Sequence, residues 1–180
     1  VLKNCAIEPE IKDLTNFLNS AGAKILWKGR TCKIIGVTSL NQTEYSVMAD
    51  RIEAGTFCVA ATISRGNLEI LNFDGEIIKT ELDLLKKFGA KIKISNKKIL
   101  IRGPENIKPI NNIKTKEYPG VPTDMQSQLM VLMCKANGKS SITENIFENR
   151  FMHVPELKRM GAQIEIKNKT AIIKGPTKLT

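Results

Sequence analysis

The sequence has few of the residues that metal, redox and membrane proteins depend on. Its only histidine is His153, and its four cysteines form no CxxC pair, so neither a zinc site nor any other metal or cofactor is expected. No uninterrupted apolar run comes near the roughly 18 residues of a membrane-spanning helix. Widely spaced thiols are typical of reduced cysteines. The composition therefore predicts a cytoplasmic protein with no membrane partner.

Aromatic residues are also scarce, at 5% of the chain, and they are not interleaved with the basic residues. A surface that stacks nucleic-acid bases needs such interleaving. The chain is nevertheless basic, with 28 Lys and Arg against 18 Asp and Glu and a net charge of +10. Scattered lysines are typical of a solvated face. A nucleic-acid- or polyanion-binding module is therefore an alternative function, against which the missing aromatics argue.

What the sequence does contain is a pattern that returns three times, in residues 10–36, 76–103 and 153–175. Each copy has apolar residues at helical spacing, then a Gly-Ala pair, then two strands joined by a short polar turn. The pairs begin at Gly22, Gly89 and Gly161, where glycine is expected to end the helix in the left-handed conformation. The pattern predicts helix–strand–strand in each copy.

A second pattern, in residues 50–73 and 124–147, precedes the last two copies and predicts a buried helix and a strand. Together the patterns give repeated helix–strand–helix–strand–strand units in an α/β fold. The first unit lacks its opening helix, which predicts that the chain is a fragment. Residues 38–49 are polar and irregular. They predict a boundary between domain 1–48, an incomplete repeat, and domain 49–180, with two repeats.

The stretch YPGVPTDMQSQ, residues 118–128, combines two prolines and a glycine with the start of an apolar run. The prolines restrict the loop, and Thr123 and Asp124 precede the predicted helix. On spacing alone Asp124 is an N-cap, which would contribute about 1 kcal/mol. The same position also sets a carboxylate in a rigid loop that a ligand can approach.

Four motifs closely resemble one family across essentially all 180 residues. These are YPGVPTDMQSQ, FENRFMHVPELKRMGA (147–162), DRIEAGTF (50–57) and EPEIKDLTNFLNSAGAKI (8–25). The family is the UDP-N-acetylglucosamine enolpyruvyl transferases, or 1-carboxyvinyltransferases. FENRFMHVPEL is not expected in 5-enolpyruvylshikimate-3-phosphate synthase, which shares the fold. The resemblance implies an inside-out α/β barrel of two lobes, each built from three such units, with substrates between them.

The resemblance also implies an activity. Family members transfer the enolpyruvyl group of phosphoenolpyruvate to the 3′-hydroxyl of UDP-N-acetylglucosamine and release phosphate. This is the first committed step of peptidoglycan synthesis, which implies roles in cell-wall biogenesis, cell shape, the cell cycle and cell division. Asp124 matches the family carboxylate that binds the sugar hydroxyl and takes its proton.

Further site residues follow from the same match. Ile146 corresponds to a position whose backbone touches the nucleotide sugar, although the side chain alone reads as a core isoleucine. Arg150 corresponds to an active-cleft position and is expected to steer phosphate. Asp50 and Glu148 match possible cleft residues of the second lobe, and Glu8 matches one of the first. Asp50 is equally well explained as a helix N-cap.

Several functional residues of the family have no counterpart in the sequence. The family has a reactive cysteine on a mobile loop, a Lys-Asn pair that holds phosphoenolpyruvate, and phosphate-binding arginines. Completing the cleft therefore requires the remainder of the protein's own chain, and the 180 residues alone are expected to be inactive. A non-catalytic relative is a third possibility, which retention of Asp124, Arg150 and the PTDMQ loop disfavours.

Overall fold

The computed structural model describes all 180 residues and divides into two compact units, Val1–Ala49 and Asp50–Thr180. The division lies one residue from the boundary predicted from the sequence. Assignment of the two units to separate lobes stays a prediction. No helix combines the length and the apolar character that crossing a bilayer requires.

The first unit consists of one helix and one hairpin. Helix α1 (Pro9–Ser20) is followed by β1 (Lys24–Lys28) and β2 (Thr31–Ile35), which pair antiparallel. Near the start of the chain there is only an isolated bridge, in which Leu2 exchanges backbone hydrogen bonds of 2.8 and 2.9 Å with Cys32. Residues 36–50 form neither helix nor strand. This unit is the second half of the repeated pattern.

The second unit contains the complete pattern twice. The first repeat comprises α2 (Arg51–Ile63), β3 (Asn67–Leu71), a 3₁₀ turn (Gly75–Ile78), α3 (Lys79–Phe88), β4 (Lys91–Ser95) and β5 (Lys98–Arg102). After a short strand, β6 (Ile113–Lys114), the second repeat comprises a 3₁₀ turn (Thr123–Met125), α4 (Gln126–Cys134), β7 (Lys139–Thr143), α5 (Val154–Arg159), β8 (Gln163–Lys167) and β9 (Thr170–Lys174). The predicted unit is confirmed, and β6 was not predicted.

The two sheets of this unit have matching topologies. In the first repeat β5 lies between β3 and β4, and in the second repeat β9 lies between β7 and β8, with all of these pairs antiparallel. β6 extends the second sheet by pairing parallel to β7. The three glycines predicted to end helices have φ of +98°, +114° and +99°, as expected for the left-handed position.

A glycine directly follows the last strand of each repeat, at matching positions. Gly103 follows β5 and Gly175 follows β9, and a Cβ on either would collide with a carbonyl oxygen, of Ala61 or Ala136. The Gly103 N–H donates to Gly66 O at 2.9 Å and the Gly175 N–H to Gly138 O at 3.0 Å. Each strand therefore ends tight against the end of a buried helix.

The core of the second unit is built around α2 and α4, which pack against each other. Both helices are apolar on most sides, and the inner faces of the two sheets cover them. Fully buried members include Cys58, Leu129, Met130, Met133 and Ile142. Each large side chain of this kind contributes about 1.5–3 kcal/mol when buried. Helix α4 is thus a fixed support for the loop that precedes it.

Candidate functional site

Asp124 lies in the 3₁₀ turn that leads into α4, and it is not an N-cap. Its side chain accepts no capping hydrogen bond, and α4 begins two residues later at Gln126. The N-cap prediction is wrong because the turn, closed by a 3.1 Å bond from Met125 N–H to Pro122 O, occupies the place of the first helical turn. The side chain is 56% exposed. Its carboxylate is available to a ligand.

The loop before Asp124 is fixed by contacts with the first repeat and by a backbone hydrogen bond within the loop. The Thr80 hydroxyl donates to Pro119 O at 2.6 Å, and Lys116 N–H donates to Val121 O at 2.9 Å. The guanidinium of Arg51, which is buried, lies 5.7 Å from the ring centroid of Tyr118. These contacts support the prediction of a rigid approach to Asp124.

Arg150 is the partner of Asp124. Its Nη2 donates to Asp124 Oδ1 at 2.5 Å, and its guanidinium lies 5.7 Å from the ring centroid of Phe147. A half-exposed ion pair adds only about 0–1 kcal/mol of stability, so its main effect is on orientation. The structure thus brings together two predicted site residues from different loops, one before α4 and one after β7.

Sequence reasoning missed Glu144, the residue directly after β7. It is only 2% exposed, although it is a carboxylate. Its Oε1 and Oε2 accept five hydrogen bonds, from two threonine hydroxyls, one side-chain amide and two backbone amides. The donors are Thr115 Oγ1 (2.9 Å), Thr123 Oγ1 (2.8 Å), Gln126 Nε2 (3.0 Å), Ile146 N (2.8 Å) and Phe147 N (3.1 Å).

These donors keep Glu144 charged. Burial on its own raises the pKa of this carboxyl, but hydrogen bonds from Ile146 N–H, Thr123, Phe147 N–H and Thr115 outweigh it, and the pKa is lowered from its ordinary value of 4.5. Donors that all point at the ionised form have this effect. Glu144 is therefore a buried anion at neutral pH.

Ile146 lies three residues beyond the end of β7 and is only partly buried, outside the hydrophobic core. Its N–H is engaged by Glu144. The interpretation as an ordinary core isoleucine is therefore wrong. With its N–H occupied by Glu144, the other backbone hydrogen-bonding group of Ile146 is its carbonyl oxygen.

A cavity of about 530 Å³ opens beside this loop, and Glu148 and Arg150 both line it. Phe147 and Phe151 supply apolar surface, and Lys169 supplies a second cation. Charged and amide side chains lie among these apolar ones in the lining, and a mixed lining can both hold and orient a small molecule. The combination suits a ligand that carries negative charge and a flat or apolar face.

Asp50, by contrast, is the N-cap of α2. Its Oδ1 accepts from Ile52 N–H at 2.7 Å and from Glu53 N–H at 3.2 Å. The N-cap interpretation is confirmed, and a cleft role for Asp50 stays a prediction. Glu8 belongs to the first unit, where it precedes α1 without capping it. Its proposed cleft role likewise stays a prediction.

The two cysteines of the second unit are packed into the interior, and its histidine is partly buried. Cys58 and Cys134 are fully buried, and burial, with a smaller effect from Glu81, raises the pKa of Cys58 to about 12. His153 Nε2 lies 3.3 Å from Met130 Sδ. A thiol with so high a pKa is a poor nucleophile. The structure contains no cluster of His, Cys, Asp and Glu that could hold a metal ion.

Comparison with known proteins agrees with this picture. The profile of the EPSP synthase (3-phosphoshikimate 1-carboxyvinyltransferase) family matches residues 1–180. UDP-N-acetylglucosamine 1-carboxyvinyltransferase of Pelagibacter ubique is 57% identical over 178 residues, which are 98% of this chain and 42% of that protein. The enzyme numbered 1 of the same name in Clostridium perfringens is 50% identical over 184 residues, covering 100% of this chain and 44% of that protein.

Solved structures show the same fold. The enolpyruvyl transferase NikO from Streptomyces tendae matches with a TM-score of 0.84 at 24% identity, over 98% of this chain and 42% of that one. EPSP synthase from Acinetobacter baumannii matches with a TM-score of 0.61 at 20% identity, over 90% of this chain and 39% of that one. The predicted fold class is confirmed.

The chain spans about two-fifths of the length of the curated relatives that it matches. The matches cover 98–100% of this chain, and the motifs that carry the resemblance all lie inside the matched span. The resemblance to UDP-N-acetylglucosamine 1-carboxyvinyltransferases is confirmed at 48–57% identity. The chain therefore belongs to the EPSP synthase family, that of the enolpyruvyl transferases.

Proposed function

We propose that the protein acts as a UDP-N-acetylglucosamine 1-carboxyvinyltransferase. It transfers the enolpyruvyl group of phosphoenolpyruvate to the 3′-hydroxyl of UDP-N-acetylglucosamine and releases phosphate, in the first committed step of peptidoglycan synthesis. The observation that carries this proposal is the exposed carboxylate of Asp124, which is set in the matched PTDMQ loop and oriented by Arg150. Cell-wall biogenesis, and through it cell shape and division, is the proposed cellular role.

Asp124 is the proposed general base. The sugar hydroxyl oxygen attacks C2 of phosphoenolpyruvate while its proton passes to the carboxylate, and C3 gains a proton from a donor. Loss of phosphate and of a C3 proton from this adduct then restores the double bond. A positioned base contributes about 10²–10⁴-fold to such a step. The 3₁₀ turn suits this role because it leaves the Asp124 side chain without a capping partner.

Arg150 is proposed to act on the phosphate and on Asp124 together. A guanidinium has five N–H donors in a fixed plane, and in the structure Nη2 serves the Asp124 carboxylate. The side chain is 40% exposed, so its other donors can meet an anionic substrate group. Bidentate arginine contacts to phosphate are strong and directional.

The nucleotide sugar is proposed to lie against the loop after β7. Ile146 offers its carbonyl oxygen, and Glu148 lines the adjoining cavity with Arg150. Residues 1–48 are assigned to the first lobe and 49–180 to the second. Asp50 and Glu8 are proposed to border the cleft. All four cysteines are free thiols, which supports the proposal of a cytoplasmic protein.

The experiment that tests the proposal is an assay of phosphate release by the natural full-length gene product. We expect release to require both phosphoenolpyruvate and UDP-N-acetylglucosamine, and we expect none from residues 1–180 alone. Shikimate 3-phosphate is the control acceptor, because the family profile carries the name of the enzyme that uses it. Release with shikimate 3-phosphate and none with UDP-N-acetylglucosamine would refute the proposal.

The net charge of +10 is the one observation that favours the alternative of a polyanion-binding module. Binding of that kind falls steeply with salt and is indifferent to the sugar. Titration of the chain with UDP-N-acetylglucosamine, UDP and a single-stranded oligonucleotide at two salt concentrations separates the alternatives. Tight, salt-sensitive oligonucleotide binding without preference for the nucleotide sugar would favour the module.

A further inference from the structure

Glu144 joins three separate segments of the second unit through its side chain. Thr115 follows β6, Thr123 and Gln126 flank the start of α4, and the two backbone amides belong to Glu144's own loop. The three side-chain donors are buried, with exposures of 1%, 8% and 1% respectively. This is a closed polar network in the interior rather than a set of surface contacts.

The residues that Glu144 holds are neighbours of the proposed site. Thr123 directly precedes Asp124, and Gln126 follows it by two positions. On the other side, the amide of Phe147 begins the short loop that carries Arg150. Asp124 and Arg150 meet at 2.5 Å only if these two segments keep their relative position. Glu144 bonds to both segments.

We propose that Glu144 is a positioning residue of the transferase reaction. Through Thr123 and Gln126 it fixes Asp124, and through the amides of Ile146 and Phe147 it fixes the loop of Arg150, so that both groups face the same substrate. The inference rests on the proposed function. Glu144 borders the cavity, but it is only 2% exposed and both of its carboxylate oxygens already accept hydrogen bonds, so it acts through the residues that it holds.

The preceding repeat shows that this arrangement is not imposed by the fold. There the residue directly after β3 is Asn72, and the carboxylate of that loop, Asp74, lies three residues beyond the strand and accepts the N–H of Glu76 on its Oδ1 at 3.0 Å. Glu144 makes the same contact with Ile146. Asp74, however, is exposed and joins no other segment. The buried network is an addition specific to the repeat that carries Asp124.

Glu144→Gln removes the charge of this side chain and keeps its shape. Backbone N–H groups cannot reverse, so the single Gln oxygen stays with Ile146 and Phe147, as a weaker, neutral acceptor. The Gln NH₂ then faces the Thr123 hydroxyl and the Gln126 amide, and both must turn to accept. The variant can therefore fold, but the segment that holds Asp124 loses its anchor.

The test uses four variants of the natural full-length protein: E144Q, D124N, the double variant E144Q/D124N, and D74N as matched control. We expect E144Q to lower kcat about 10–100-fold, the scale of small displacements in an active site. The double variant should be no slower than D124N alone, because Glu144 acts through Asp124. D74N should retain the parent kcat. Unfolding midpoints show whether each variant is folded.

A full kcat for E144Q, or losses that multiply in the double variant, would overturn the inference and leave the proposed function intact. The proposed function fails separately, if the parent protein releases no phosphate with UDP-N-acetylglucosamine. Should E144Q not fold, the pair T123V and T123S tests the same link. Valine removes the hydroxyl and should lower kcat about tenfold, whereas serine retains it. Equal rates for the pair would overturn the inference.

Amide hydrogen exchange gives a readout that needs no activity. In E144Q we expect the amides of Ile146 and Phe147 to exchange about tenfold faster, since both lose a charged acceptor. Amides of β5 should keep their parent rates. Unchanged exchange at Ile146 and Phe147 would overturn the inference even for an inactive protein.

Discussion

In the first repeat of the second unit, residues 50–103, the carboxylates at element boundaries cap backbone amides. Asp50 caps α2 and Asp74 caps the following 3₁₀ turn. In the second repeat Asp124 is displaced from the capping position by a 3₁₀ turn and pairs with Arg150, while Glu144 is buried among five donors. One copy of a duplicated unit can thus use its carboxylates to cap backbone amides, while the other leaves a carboxylate exposed beside an arginine.

The largest expected difference between the repeats is in stability. Glu144→Ala leaves five donors without an acceptor and opens a space in the interior, and removal of one member of a buried charged network costs about 3–5 kcal/mol. Asp74→Ala removes one exposed capping bond and should cost about 1 kcal/mol. Urea unfolding of the natural full-length protein measures both. Equal losses of unfolding free energy for the two variants would show that the Glu144 network stabilises the fold no more than one exposed capping bond does.

The second-largest expected difference between the repeats is in their effect on turnover. Asp124→Asn keeps the shape of the side chain but removes the base, and we expect kcat to fall at least about 100-fold. Phosphate release at saturating concentrations of both substrates is the measurement, with D74N as the matched loss of an exposed carboxylate from the other repeat. Near-parent turnover of D124N would remove Asp124 from the proposed mechanism.

A smaller difference concerns the capping of helices, and here the first repeat is expected to lose more stability than the second. Asp50→Ala should lower the free energy of unfolding by about 1 kcal/mol, because two amides of α2 lose their acceptor. Asp124→Ala removes only a half-exposed ion pair and should change it by less than about 0.5 kcal/mol. Thermal unfolding of the two variants side by side measures the difference. A larger loss for D124A would mean that Asp124 stabilises α4 after all.

Much of this organisation could be predicted from sequence because it depends on local signals. The Gly-Ala pairs mark helix ends, the short polar turns mark the hairpins, and the family motif identifies Asp124 and Arg150. Glu144 could not be found this way. It is a polar residue after a strand, which usually lies at the surface, and three of its donors come from 18 to 29 positions away. Asp124 was misassigned as an N-cap because a 3₁₀ turn and a helix start share the same sequence preferences.

The dependence of stability on pH gives the most sensitive test of the difference between the two repeats. Each repeat contains a buried glutamate, and the pKa values of the two glutamates are shifted in opposite directions. Burial raises the pKa of Glu81 in the first repeat, opposed more weakly by a backbone hydrogen bond and by Arg51. Hydrogen bonds lower that of Glu144 despite its burial. Glu144 therefore adds stability that is complete above its ordinary value of 4.5 and is lost as pH falls through its lower folded-state pKa.

For Glu81 the sign reverses. A raised folded-state pKa means that the folded protein binds the proton more tightly, so stability falls as pH rises from the ordinary value of 4.5 through the folded-state pKa. E144Q should flatten the loss of stability below pH 4.5, and E81Q should flatten the change above it. Free energies of unfolding, measured across this range for the parent and both variants, test the assignment. Parallel curves for E144Q and the parent protein would show that the Glu144 carboxylate is no better stabilised in the folded than in the unfolded chain.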